Sequence, residues 1–137
     1  MNGDSKVVSN GNAFFRIEEL PAKEVMSGVQ LRSVDLENLM MTFVEYAAGS
    51  TVPMHHHPYE QITVVLEGVL EVTVGREQRV LRPGEGVLIP PDREHSSRPL
   101  DGPAKALDAW TPVPHRFKVD PLSTLGHQVP ILGEGPA

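Results

Sequence analysis

Cysteine is absent from the 137-residue chain, which excludes disulfides and thiolate metal sites and is compatible with a reducing compartment. No apolar run approaches the roughly 18 residues needed to span a bilayer. The first residues, MNGDSKVVSNGN, lack the apolar stretch of a secretory signal. The expected location is therefore the cytoplasm, with no membrane partner. A basic surface is missing too. The formal net charge is −6, and binding nucleic acid through its phosphates needs the opposite sign. There is no internal repeat, no amphipathic helix of useful length, and no helix-turn-helix or other output module.

What the chain does have is punctuation. Thirteen prolines and twelve glycines suit many short strands and not long helices. The length fits one domain, expected to comprise a flexible N-terminal arm over 1–13, a β-barrel over 14–112 and a Pro-rich tail over 113–137. Phe14 to Ile17 is expected to form a first short strand, and Pro21 to Ser27 a linker or helical turn. Val29 to Val34 alternates with period two. Leu39 to Tyr46 does the same, with Met41, Phe43 and Glu45 on one face and Met40, Thr42, Val44 and Tyr46 on the other. After Gly49, Gly68 is expected to turn the chain. Val69 to Val74 and Glu77 to Leu81 then pair across Gly75. Val87 to Ile89 is a short strand ended by Pro90-Pro91. Asp101-Gly102-Pro103 reads as a turn before a last strand, Ala104 to Thr111. A short helix is possible near Pro121 to Leu125. Strands about 8 to 12 residues apart with Gly/Pro corners predict an all-β antiparallel barrel or jelly roll.

The chemistry concentrates in GSTVPMHHHPYEQITVVLEG, residues 49–68. His55 and His57 are two apart and project from one face of an extended strand, with His56 opposite. Gln61 returns an oxygen donor after a short turn, and His95 follows a later strand and proline pair. These residue types suit one first-row transition metal: Fe, Ni, Zn, Mn or Co. Glu60 is the competing fourth donor, one residue short and facing away if the strand resumes there. His115 and His127 are isolated in the tail and carry no assignment. Asp108 and Trp110 share a strand face. If that face is inward, Asp108 is a candidate proton acceptor; otherwise it pairs with an arginine while Trp110 fills the barrel end.

These motifs resemble those of the cupin superfamily, in particular its small single-domain bacterial members. The usual first motif is Gly, five residues, His-x-His, three or four residues, Glu, six residues, Gly. Here Gly49, His55, His57, Gln61 and Gly68 fill that frame, with glutamine in place of glutamate. In the second motif Gly84, Pro90 and His95 keep their places, Asp92 stands for Gly and Pro99 for Asn. The resemblance implies a jelly-roll barrel, the double-stranded β-helix, and metal ligation by His55, His57, Gln61 and His95. Asp108, Trp110 and Pro112 also resemble the Asp-x-aromatic-Ser-Pro-x-Arg segment of cupins that linearise unsaturated uronates from pectin or alginate. In this chain the arginine, Arg116, comes two residues late. Asp108 is then the expected catalytic residue, and Trp110 and Arg116 expected substrate contacts; Tyr59, where related chains often carry another histidine, is expected either to line the pocket mouth and meet the substrate or to pack on the loop.

Three functions fit. The first is a metal-dependent enzyme opening or isomerising a sugar acid, with the ion as Lewis acid on a small oxygenated substrate. The second is a dioxygenase acting on an enol or phenol. The third is a non-catalytic small-molecule binder. A homodimer is expected because a small barrel leaves exposed sheet edges and symmetric dimers are the commonest oligomer.

Overall fold

Period-two alternation is the strongest pattern in this chain, and it gives an all-β antiparallel fold. The computed structural model describes residues 13–114. They form β1 (Lys23–Met26), β2 (Val29–Asp35), β3 (Met40–Tyr46), β4 (Val52–His55), β5 (Glu60–Val74), β6 (Glu77–Leu81), β7 (Gly86–Ile89) and β8 (His95–Thr111). Hydrogen bonding runs β1-β2-β3-β8-β5-β6, with β4 also on β8 and β7 also on β5. Every pairing is antiparallel.

The long strands β5 and β8 organise the fold. The first part of β5 lies between β7 and the last part of β8, which β3 flanks in turn. The last part of β5 lies between β6 and the first part of β8, which pairs with β4. Each long strand thus serves two sheets, and it must bend between them. The bends fall where the β5–β8 register shifts, at Val65 to Val69. Gly68 there has φ 78°, and a Cβ on it would stand 2.4 Å from the Pro103 carbonyl oxygen. Only glycine fits both the backbone conformation and that close approach. The opposing bend on β8 holds Asp101 and Gly102 at φ 59° and 125°.

Three expectations are corrected here. Gly68 and Asp101-Gly102-Pro103 do not reverse the chain; they are bulges in continuous strands. Phe14 to Ile17 is not a strand, and Ile17–Glu19 is instead a single 3₁₀ turn. The segment expected as a linker or helical turn contains β1, because Lys23, Glu24 and Met26 find partners on β2.

The inward residues of both sheets form one core, with Met40, Val29, Val65, Leu70 and Tyr59 all but sealed from solvent. On β3 the buried residues are Met40, Thr42, Val44 and Tyr46, one of the two faces that alternation separates. The opposite surface is unusual. Across β2, β3, β8, β5 and β7, the outward row Val34, Met41, Ala109, Ile62 and Leu88 is wholly apolar. The next row adds Phe43, Leu107 and Val64, and Phe15 packs on Phe43 with centroids 6.1 Å apart. Among the described residues no helix is long and apolar enough to cross a membrane.

Candidate metal centre

His55 ends β4 and His95 begins β8, and the two are register partners. Antiparallel pairing puts both rings on one side of the sheet, with centroids 4.2 Å apart. His57 lies beyond the end of β4, so strand alternation is not what aligns it with His55. Its carbonyl accepts a 2.7 Å hydrogen bond from the Asp92 amide, tying its loop to the β7–β8 turn. Asp92 sits at φ 64°, which explains why glycine is usual at this motif position and why aspartate is a tolerable substitute. The His57 ring then stands 5.5 Å from His55 and 4.7 Å from His95. One nitrogen from each ring lies within 4.8 Å of the others. His57 and His95 are buried, His55 is partly buried and His56 is exposed.

Backbone carbonyls orient two of the rings. His55 Nδ1 is 2.8 Å from Pro53 O, and His95 Nδ1 is 2.8 Å from Arg93 O. A carbonyl can only accept, so both Nδ1 atoms carry hydrogen and both Nε2 atoms present lone pairs. His95 Nε2 is buried with no hydrogen-bond partner among the described residues. Burial, foremost, holds His95 far below the usual histidine range, at about 3. Burial and then neighbouring His55 also push His57 down. Neutral imidazole is the form that ligates a metal.

Gln61 faces inward and Glu60 is exposed, so of the two competing donors the structure brings Gln61 to the cluster. Its Oε1 is 3.0 Å from His57 Nε2. Its Nε2 donates to Thr63 Oγ1 at 2.9 Å and, more weakly, to Asp108 Oδ1 at 3.5 Å. Thr63 Oγ1 donates to Asp108 Oδ1 at 2.5 Å. Thr42 Oγ1 donates to Asp108 Oδ2 at 3.2 Å and accepts from Trp110 Nε1 at 2.9 Å. The partners of Asp108 are thus two hydroxyls and an amide, not an arginine. Burial lifts the Asp108 carboxyl to about 6, against the lowering effect of those three donors. Tyr46 lies close by. Its hydroxyl is 3.2 Å from Ser97 Oγ, and burial followed by the Asp108 charge raises its pKa well above the ordinary tyrosine value.

His55, Gln61, His95, Asp108 and Trp110 line a cavity of about 50 Å³ with an apolar floor that includes Val29, Leu31 and Val44. It has room for a few water-sized groups. Trp110 walls it and packs 5.2 Å from the His57 ring. Tyr59 is not among its walls. It is 1% exposed and packs between His57 and Trp110, at 5.4 and 6.2 Å. Arg116, like His115, His127 and the segment expected as a helix, lies outside the described residues. Sequence reasoning missed Thr63 as a site residue and noted Thr42 only as sharing a strand face with Met40, Val44 and Tyr46. The available signal was a hydroxyl on an inward strand position, since Thr63 is two residues from Gln61.

The residues present fit a divalent ion. A buried imidazole nitrogen without a partner points at its neighbours, and three neutral rings converge with one amide oxygen. The His55, His57 and His95 cluster is consistent with such an ion. An all-β barrel with three histidines converging inside it is the arrangement of a metal-binding jelly roll.

The chain belongs to the cupin family: the family model described as "Cupin domain" matches residues 42–110. It is 27% identical over 101 residues to the pectin degradation protein KdgF of Dickeya dadantii (strain 3937), covering 72% of this chain and 92% of that protein. The structure of KdgF from Halomonas sp. superimposes with a TM-score of 0.70 at 28% identity, covering 74% of this chain and 94% of that one. Similarity to the dimethylsulfoniopropionate lyase DddQ of Ruegeria pomeroyi is 36% over 75 residues, covering 54% of this chain and only 37% of that protein.

Proposed function

We propose that this chain is a metal-dependent enzyme that opens or isomerises a small sugar acid, with an unsaturated uronate as the favoured substrate class. The observation that carries the reading is the convergence of three imidazole nitrogens within 4.8 Å beside an inward amide oxygen. Similarity to a pectin degradation protein over most of both chains supports the substrate class. His55, His57, Gln61 and His95 hold the ion, which when bound supplies Lewis acidity to a substrate oxygen. Four neutral ligands leave its positive charge undiminished. Asp108 moves the proton from the cavity wall. Trp110 closes that wall against water, Tyr59 backs the His57 ring, and Arg116 meets the substrate carboxylate. The small cavity admits the reacting end of the substrate while the rest stays at the mouth. We place the enzyme in the cytoplasm.

The test is turnover of a 4,5-unsaturated uronate by metal-loaded protein, followed by loss of the enol-ether ultraviolet absorbance, with and without air. Equal rates in both, abolished by His57→Ala, are expected. Turnover that stops without oxygen would move the protein to the dioxygenase class.

The partner is a second copy of the chain. The apolar outer rows cross five strands about 4.8 Å apart, giving a face on the order of 300 Å² per protomer, the apolar centre of an interface whose rim must come from the flanking residues. Both charge signs lie at its edge, in the pairs Arg32–Glu45 and Lys105–Glu67, so a two-fold copy can match them. Ile62 is 52% exposed. Ile62→Glu should therefore give a folded monomer by light scattering, and a variant that stays dimeric would exclude this face.

A further inference from the structure

The motif position that usually carries glutamate carries Gln61, and the side chain beside it accounts for the exchange. Thr63 and Asp108 are cross-strand partners on β5 and β8, and Gln61 pairs with Trp110 two residues along. Gln61, Thr63, Asp108 and Thr42 are all buried, at 9%, 4%, 5% and 0% exposure. Within this sealed group Asp108 is an acceptor at both oxygens, taking hydrogens from Thr63, Thr42 and Gln61. The single Thr63 hydroxyl hydrogen is already directed to Asp108, so towards Gln61 that oxygen can only accept.

We propose that Asp108, besides its part in moving the proton, positions Gln61 and makes an amide obligatory at that position. The acceptors Thr63 Oγ1 and Asp108 Oδ1 claim the amide nitrogen, and the amide oxygen is thereby aimed at His57 Nε2 and the ion site. A glutamate at 61 would put its second oxygen where the nitrogen is, 2.9 Å from one acceptor and 3.5 Å from the other. Acceptors would then face each other with no hydrogen between them, in a region where like charges are poorly screened. The negative charge that glutamate would place on the ion stands one residue further back, on Asp108. The proposal rests on Gln61 being a ligand, as set out above.

The experiment is calorimetric titration of metal-stripped protein with Co²⁺, comparing wild type, Gln61→Ala, Gln61→Glu and Gln61→Glu/Asp108→Asn. Thermal unfolding of each stripped protein is measured alongside. Gln61→Ala should weaken Co²⁺ binding at least tenfold. Gln61→Glu should bind no tighter than wild type despite its better donor, and should melt lower. In the double variant the new amide can donate to the free oxygen of Glu at 61. Co²⁺ should bind it at least tenfold more tightly than the single variant, and its melting temperature should recover. A single variant that already matches the double in both measurements overturns the pairing and leaves the ligand assignment standing. Unchanged affinity in Gln61→Ala overturns both. If Gln61→Glu does not fold alone, recovery of a folded, Co²⁺-binding double variant supports the proposal, and its failure to fold refutes it.

Discussion

Replacing Thr63 with valine tests the buried polar network with little change of shape. The hydroxyl donates to Asp108 Oδ1 and accepts from Gln61 Nε2. Valine suits a strand, so the backbone should hold and only the two hydrogen bonds should go. Losing the one to an ionised carboxylate costs about 1.5–3 kcal/mol, and losing the neutral one about 1 kcal/mol. A loss of about 2.5–4 kcal/mol is therefore expected where Asp108 is charged. The effect should depend on pH. The Asp108 pKa is raised from 3.8 to about 6 in the folded protein, so its charge is an increasing liability as pH rises through that interval and a full one above it. The Thr63 hydrogen bond offsets part of that liability, and removing it should raise the Asp108 pKa further. The destabilisation by Thr63→Val should thus be larger at pH 8 than at pH 5, where the protonated carboxyl no longer needs the donor. Urea unfolding of metal-stripped protein at both pH values, with unchanged m, measures it. A loss under about 0.5 kcal/mol at pH 8, or a larger loss at pH 5, would refute the account.

Gly68→Ala should lower stability by about 2–4 kcal/mol, because it combines an unfavourable backbone angle with a clash against the Pro103 carbonyl. Thermal melting reads this directly, and a shift of less than a few degrees would contradict the close approach. Acidification should destabilise metal-stripped protein through His95. Between pH 6.5 and about 3 the unfolded chain binds a proton there that the folded chain refuses, so stability falls as pH falls, by about 1.4 kcal/mol per pH unit at most. Asp108 opposes this between 3.8 and about 6. The His95 contribution is therefore the difference in pH slope between wild type and His95→Gln, and equal slopes would disprove it.

The histidine cluster was legible because spacing in the chain carries over to spacing in the fold once strands are assumed. The reason differs at one residue, since His57 is aligned by the Asp92 amide and not by β4. Alternation marked β2 and β3 as half-buried strands but not which face is inward: on β2 it is Ser33 that is buried with Val29 and Leu31, while Val34 joins the outward row. The bends were not legible. A glycine or an Asp-Gly-Pro stretch has the same composition in a reversal and in a bulge, and only the partner strand distinguishes them. β1 was hidden for a related reason. Its residues show little alternation, and its strand form comes from pairing with β2. Asp108 was found, yet its partners were not, because Thr42 and Thr63 come from two other strands and meet only when β8 lies between them.

The site draws on both ends of β8, with His95 its first residue and Asp108 near its last, and on Gln61 and Thr63 near the start of β5. The two strands are zipped together along nearly their whole length, through the bend. Gln61 and His95 cannot separate unless that zip opens, whereas His55 and His57 sit on the short β4 and the loop after it. A centre built this way has two ligands that leave only with the fold and two on a short strand and loop, so loosening of β4 alone would weaken the hold on an ion.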